Sequence, residues 1–136
     1  MIRIDSATRK LQAVLAGAVT TNELPVIVSY EDELVMPAGG PTLFDGSTKI
    51  STTAGAAAVD ICVPPANNAQ NIVRTIDSIS IHNADTVSAT VTVRYNDNGT
   101  LSNLLAMVLS AGDTLIYSAN GAWTCLDANG NLKKTG

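Results

Sequence analysis

Residues 87–100 read VSATVTVRYNDNGT, and this stretch decides the fold class. Val87, Ala89, Val91, Val93 and Tyr95 alternate with Ser88, Thr90, Thr92 and Arg94, the period of two that a strand needs to turn one face to a core and the other to water. The run stops at Asn98-Gly99, the pair that most readily supplies the two positive φ angles of a tight hairpin. The same rhythm continues downstream, where LLAMVL (104–109) and TLIYS (114–118) are separated by SAGD and ANGA. Gly99 and Gly121 are predicted to take positive φ.

Working outward, strands are predicted at 11–16, 26–30, 57–63, 72–83, 87–95, 104–109, 114–118 and 122–126, with Pro64-Pro65 ending the third. In 72–83, Ile79 and Ile81 oppose Ser78 and Ser80. No convincing helix is found; the one helical candidate is 101–107. About eight strands in a small unit predict an all-β, two-sheet β-sandwich or jelly roll, because an open sheet would leave long edges exposed. Residues 1–10 have no clear period and read as an extended N-terminal arm, 11–132 as a single β domain, and 133–136 as a tail. MPAGGPTLFDGST (36–48), with two prolines and three glycines, is the longest irregular region and the expected place for contacts.

The chain has 136 residues, 46% of them hydrophobic and only 15% charged. That length buries roughly 68% of the extended-chain surface, enough for a core without disulfides. One Trp, three Tyr and one Phe are few platforms for stacking bases or sugars. The net charge is −4, unevenly spread. Arg3, Arg9, Lys10, Lys133 and Lys134 lie near the ends, whereas 11–132 holds three cations against eleven acids. An acidic body repels phosphate backbones, so no nucleic-acid partner is expected, and the basic ends become candidate docking residues for an acidic protein. No apolar run reaches the ~20 residues of a membrane helix. LQAVLAGAV after Arg9-Lys10 is read as a strand and not a secretory signal, because Asp5 and Gln12 interrupt the required pattern.

Little points to catalysis. His82 is the single histidine, which leaves no multi-histidine metal site and no histidine-based triad elsewhere, and beside Asn83 and Asp85 it reads as a hydrogen-bonded structural residue. Glu31, Asp32 and Glu33 form the one acidic cluster, read as a solvated or interface patch. Asp127-Ala128-Asn129-Gly130-Asn131 departs from a calcium loop in the place of its glycine and reads as a turn. Trp123 is expected to pack across a hairpin partner. Cys62 and Cys125 match no metal or redox spacing and are expected to be buried thiols. No cofactor and no catalytic residue is predicted.

Three blocks, KLQAVLAGAVTTNELPVIVSY (10–30), IDSISIHNADTVSATVTVRYNDNGT (76–100) and LSAGDTLIYSANGAWTCLDANGNLK (109–133), together resemble small virion structural proteins of tailed bacteriophages. The resemblance covers about two thirds of the chain and lies in strand and turn patterns. It implies a β-sandwich decoration or cement protein on the capsid exterior, assembled in the host cytoplasm, with the major capsid protein and neighbouring copies of itself as partners. It carries over no active-site residue. The alternative it leaves open is a head-fibre, tail-tip or receptor-binding module, for which Tyr30, Tyr117 and Trp123 are the available aromatics. On the arm reading, removal of residues 1–9 should leave a folded β domain that attaches to particles less well.

Overall fold

The computed structural model describes residues 1–34, 43–65 and 72–135. Among them run eleven strands: β1 (Ile2–Ile4), β2 (Arg9–Leu15), β3 (Pro25–Leu34), β4 (Leu43–Thr52), β5 (Val59–Cys62), β6 (Ile72–His82), β7 (Ala89–Asp97), β8 (Thr100–Leu109), β9 (Thr114–Ser118), β10 (Trp123–Leu126) and β11 (Leu132–Thr135). No helix occurs among the described residues. The strands form two antiparallel sheets, one in the order β11-β10-β9-β6-β3-β4 with β1 also paired to β6, the other β5-β2-β7-β8.

The alternation in β7 does what its period dictates. Val91 and Val93 are fully buried while Thr92 and Arg94 stay half-exposed. They join Leu11 and Ala13 of β2, Val26 and Val28 of β3, Ile79 and Ile81 of β6, and Leu115 and Tyr117 of β9 in one buried cluster drawn from both sheets. The β7–β8 hairpin closes between Asp97 and Thr100, with Asn98 at φ 52° and Gly99 at φ 94°. Two consecutive left-handed residues make the loop whose twist matches that of the flanking strands. Gly121, at φ 90°, also takes the predicted conformation. Trp123 pairs with Tyr117 across β10 and β9, their rings 5.0 Å apart.

Of the four bulges in the described ladders, the two in β6 and β8 reset the side-chain phase of long strands. Opposite Ser29 and Tyr30 of β3, Asp77 is the extra residue of β6, so Arg74 and Ile76 point inward before it and Ile79 and Ile81 after it. Leu104 is the extra residue of β8, between Asn103 opposite Arg94 and Leu105 opposite Val93.

Four expectations need correction. The extended arm is instead a strand: β1 pairs Ile2 with Ile76, Arg3 with Thr75 and Ile4 with Arg74, and Ile2 and Ile4 lie in the core. Because β3 occupies the other edge of β6, β1 lies end to end with β9, which takes Ser78 to His82. A three-residue segment is too short to show a period, and its partners lie 70 to 74 residues away. The tail is likewise a strand, β11, paired to β10. The irregular stretch 36–48 gives way at Leu43 to the ten-residue β4; its first part, 36–42, lies outside the described residues. The helical candidate at 101–107 is the middle of β8, its alternation masked by the bulge at Leu104. The strands thus number eleven where about eight were expected.

Candidate interaction surfaces

The cations singled out for docking are mostly engaged within the chain. Arg9 donates to Asp5 at 2.8 Å and to Asp97 at 3.1 and 3.3 Å, with its guanidinium 5.5 Å from the centre of the Tyr95 ring. The Thr8 hydroxyl also donates to Asp97, and this bond together with Arg9 holds that carboxyl below its ordinary pKa. Lys10 donates to Asp60 at 2.9 Å, beside Gln12 at 2.8 Å. Burial alone would raise the Asp60 pKa, but these two partners and Lys49 bring it below the usual value. Lys133 reaches Asp113 at 2.7 Å and Ser110 at 2.9 Å, and the Asp113 carboxylate raises the pKa of the lysine. Lys134 sits in β11 opposite Cys125. Arg3, exposed on β1, makes no ion pair among the described residues; its peptide N–H and C=O bond the Tyr95 hydroxyl at 3.1 and 3.0 Å. The basic ends are therefore clips that hold the terminal strands to an acidic body, a role composition could not reveal because the partners lie up to 88 residues away.

Two polar constructions that sequence reasoning missed fix the frame. Arg74, 9% exposed, donates to both oxygens of Asp32 at 2.7 and 2.9 Å and to the Val63 carbonyl at 2.8 Å, with its guanidinium 3.8 Å from the centre of the Tyr30 ring. Burial works against its charge, and the Asp32 carboxylate more than offsets that, so its pKa is raised. The bond to Val63, just past β5, ties one sheet to the other. Asp32, read as part of a solvated acidic patch, is thus a structural counter-ion. The signal in the sequence was an arginine two positions before Ile76, on the same buried face of its strand.

The second construction is the corner after β6. Asp85 accepts from the backbone N–H of Thr20, Thr21, Asn22 and Thr86 at 2.7 to 3.2 Å, and these donors hold its carboxyl far below the usual range. Buried Asn83 donates to the carbonyls of Val87 and Leu109 and accepts from the Asp85 N–H. His82 bonds Thr114 through Nδ1 at 2.9 Å, as a structural histidine should. The acid lability of this corner is a first prediction. An unfolded Asp titrates near about 3.9, so a depressed folded pKa adds stability above that pH and loses it as the pH falls through the folded value. Asp85→Asn is expected to lower the urea midpoint at neutral pH, with the deficit shrinking below about pH 4. A deficit of constant size across the acid range would show that the ionised form is not what matters.

The surface hollows gather little chemistry. One of about 380 Å³ is lined by Arg9, Tyr95, Asp97, Thr100 and Ser102, whose charged members already neutralise each other. Another, of about 360 Å³, lies between β8 and the β10–β11 hairpin, lined by Ala106, Met107, Val108, Cys125 and Lys133. Among the described residues no three His, Cys, Asp or Glu side chains are grouped to hold a metal ion. Cys62 and Cys125 are buried and form no disulfide, and burial raises the pKa of the Cys62 thiol. Tyr117 and Trp123 are committed to the core and Tyr30 lies under Arg74.

What stays open is backbone. β4 and β8 each run ten residues and each ends its sheet, so one row of N–H and C=O groups on each has no strand partner among the described residues. β8, TLSNLLAMVL, contains no charge and no proline, and exposes Leu101 (49%) and Val108 (60%). β4 exposes Ile50 (74%), opposite Ile27 of β3. No family model, no curated protein and no solved structure matches this chain.

Proposed function

We propose that this protein is a non-enzymatic structural component of a tailed-phage virion, a two-sheet sandwich module of jelly-roll type that decorates the capsid exterior and cements neighbouring copies of the major capsid protein. The observation that carries the reading is β8, a ten-residue, uncharged, proline-free strand left at a sheet edge. Soluble proteins ordinarily blunt such an edge with charge, proline or a covering segment, so an undefended one is matched to a protein partner that completes it. The polar clips suit the same purpose. A cement has to transmit load without deforming, and Arg74, Lys10 and Lys133 tie strands far apart in sequence into one rigid unit.

The dimensions are adequate. A standard interface covers about 800 Å² per partner, a small part of the 6925 Å² that the chain exposes. Several neighbours can be touched at once, and repetition over a shell turns modest contacts into a large total. Burial of Tyr117 and Trp123 leaves the receptor-binding alternative without its aromatic platform.

The test is the copy number of the protein in purified virions, read from a quantitative gel, together with the heat resistance of particles lacking it. Copies comparable in number to the capsid protein, with earlier rupture in their absence, are expected. A small fraction of that number, with unchanged heat resistance and lost adsorption to cells, would move the protein to a fibre or tail.

A further inference from the structure

β4 reads LFDGSTKIST, and its order of residues is self-complementary about Ser47. When two copies of this strand run antiparallel with Ser47 facing Ser47, Asp45 of each stands opposite Lys49 of the other, Gly46 opposite Thr48, and Phe44 opposite Ile50. Directly opposed residues in an antiparallel pair lie on one face with their Cβ atoms about 5 Å apart, within reach of an ion pair. We propose that β4 is a homodimerisation strand, and that two copies join edge to edge about a two-fold axis at Ser47 to continue the seven-stranded sheet across the dimer.

Three observations favour a second copy over another occupant. β4 is the last strand of its sheet, with a free row of backbone groups among the described residues. Asp45 is exposed and stands directly across from Asp32 of β3, a like-charge pair that destabilises a sheet. Asp32 is answered by Arg74, whereas Asp45 has no ion pair within the described residues, and the two-fold supplies its missing cation. That cation is available, because Lys49 donates one hydrogen bond, to the Asp60 carbonyl at 2.7 Å, and an ammonium has three donors. The pairing also places Ile50, 74% exposed, against the other copy. β8 offers no such register, since it has no charge to select one. An isologous contact of this kind closes at two chains and does not propagate, which a strand edge otherwise risks. This inference goes beyond the virion reading and does not depend on it.

The experiment uses the purified full chain alone, weighed by sedimentation equilibrium from low to high micromolar concentration. The native protein is expected to dimerise. Asp45→Lys and Lys49→Asp should each place like charges opposite each other twice and raise the dimer Kd at least about tenfold. An equimolar mixture of the two variants should form a heterodimer, because both pairs become Lys opposite Asp again, and the double variant should recover dimerisation. Ser47→Cys, which leaves both charges in place, should form an intermolecular disulfide on mild oxidation, since that position meets itself, whereas Ser102→Cys on β8 should not. A native protein that stays monomeric, single variants that dimerise as well as native, a mixture no tighter than its components, or cross-linking at 102 and not at 47 would each overturn the proposal.

Discussion

Deletion of residues 1–5 is expected to unfold the protein, or to bring it to the edge of unfolding. β1 places Ile2 and Ile4 in the core at 5% and 0% exposure, and the Ile2 N–H donates to the buried Tyr117 hydroxyl at 2.8 Å. Truncating one buried isoleucine costs about 2–5 kcal/mol, and losing two approaches the ~5–15 kcal/mol that holds a typical domain together. The deletion also opens the edge of β6 from Arg74 to Ile76 and strips Asp5 from Arg9. Urea unfolding of the truncated chain measures this directly. Ile4→Ala should lower stability by about 3 kcal/mol, while Arg3→Ala, on the exposed side of the same strand, should stay within about 0.5 kcal/mol. An unchanged midpoint after truncation would restore the view of residues 1–10 as a detachable arm.

Val91→Asp is expected to be among the most damaging single substitutions in β7. Val91 is fully buried between its strand partners Leu15 and Met107, and neither neighbour can pair a carboxylate. An unpaired charge at such a site, or the protonation that avoids it, should cost about 4 kcal/mol or more. Thr92→Asp, one residue on and half-exposed between Val14 and Ala106, should cost less than about 1 kcal/mol. The contrast tests register, because a slip of one residue exchanges the two faces. Equal losses at 91 and 92 would refute the pairing of β7 with β2 and β8.

The two results bear on function through rigidity. If the first strand is part of the core, a particle-binding defect in an N-terminal deletion reports lost folding and says nothing about anchoring. On the proposed virion reading, attachment is then better probed on β8, by placing a lysine at Leu101 or Val108, where exposure leaves the core untouched.

Where the determinants were local, the sequence alone was sufficient. The alternation of 89–95 and of Ile79 and Ile81, the Asn98-Gly99 hairpin, the Gly121 turn and the Trp123 packing each depend on residues a few positions apart, so they are legible without a partner, whereas Val87, expected inward, lies ahead of β7 and is 45% exposed. Tertiary structure decided the rest. β1 has a burial pattern of in, out, in, but three residues acquire meaning only when Arg74 to Ile76 arrive to pair with them. β4, with mostly polar, exposed side chains, is held by ten partners in β3 and not by a hydrophobic face, so its composition read as a loop. The bulge at Leu104 shifted the phase of β8 and erased the period that would have marked it. The charges were the least legible of all. A cation near a terminus is the same letter whether it faces solvent or an aspartate, and only the fold carries Asp97 to Arg9, Asp60 to Lys10 and Asp113 to Lys133.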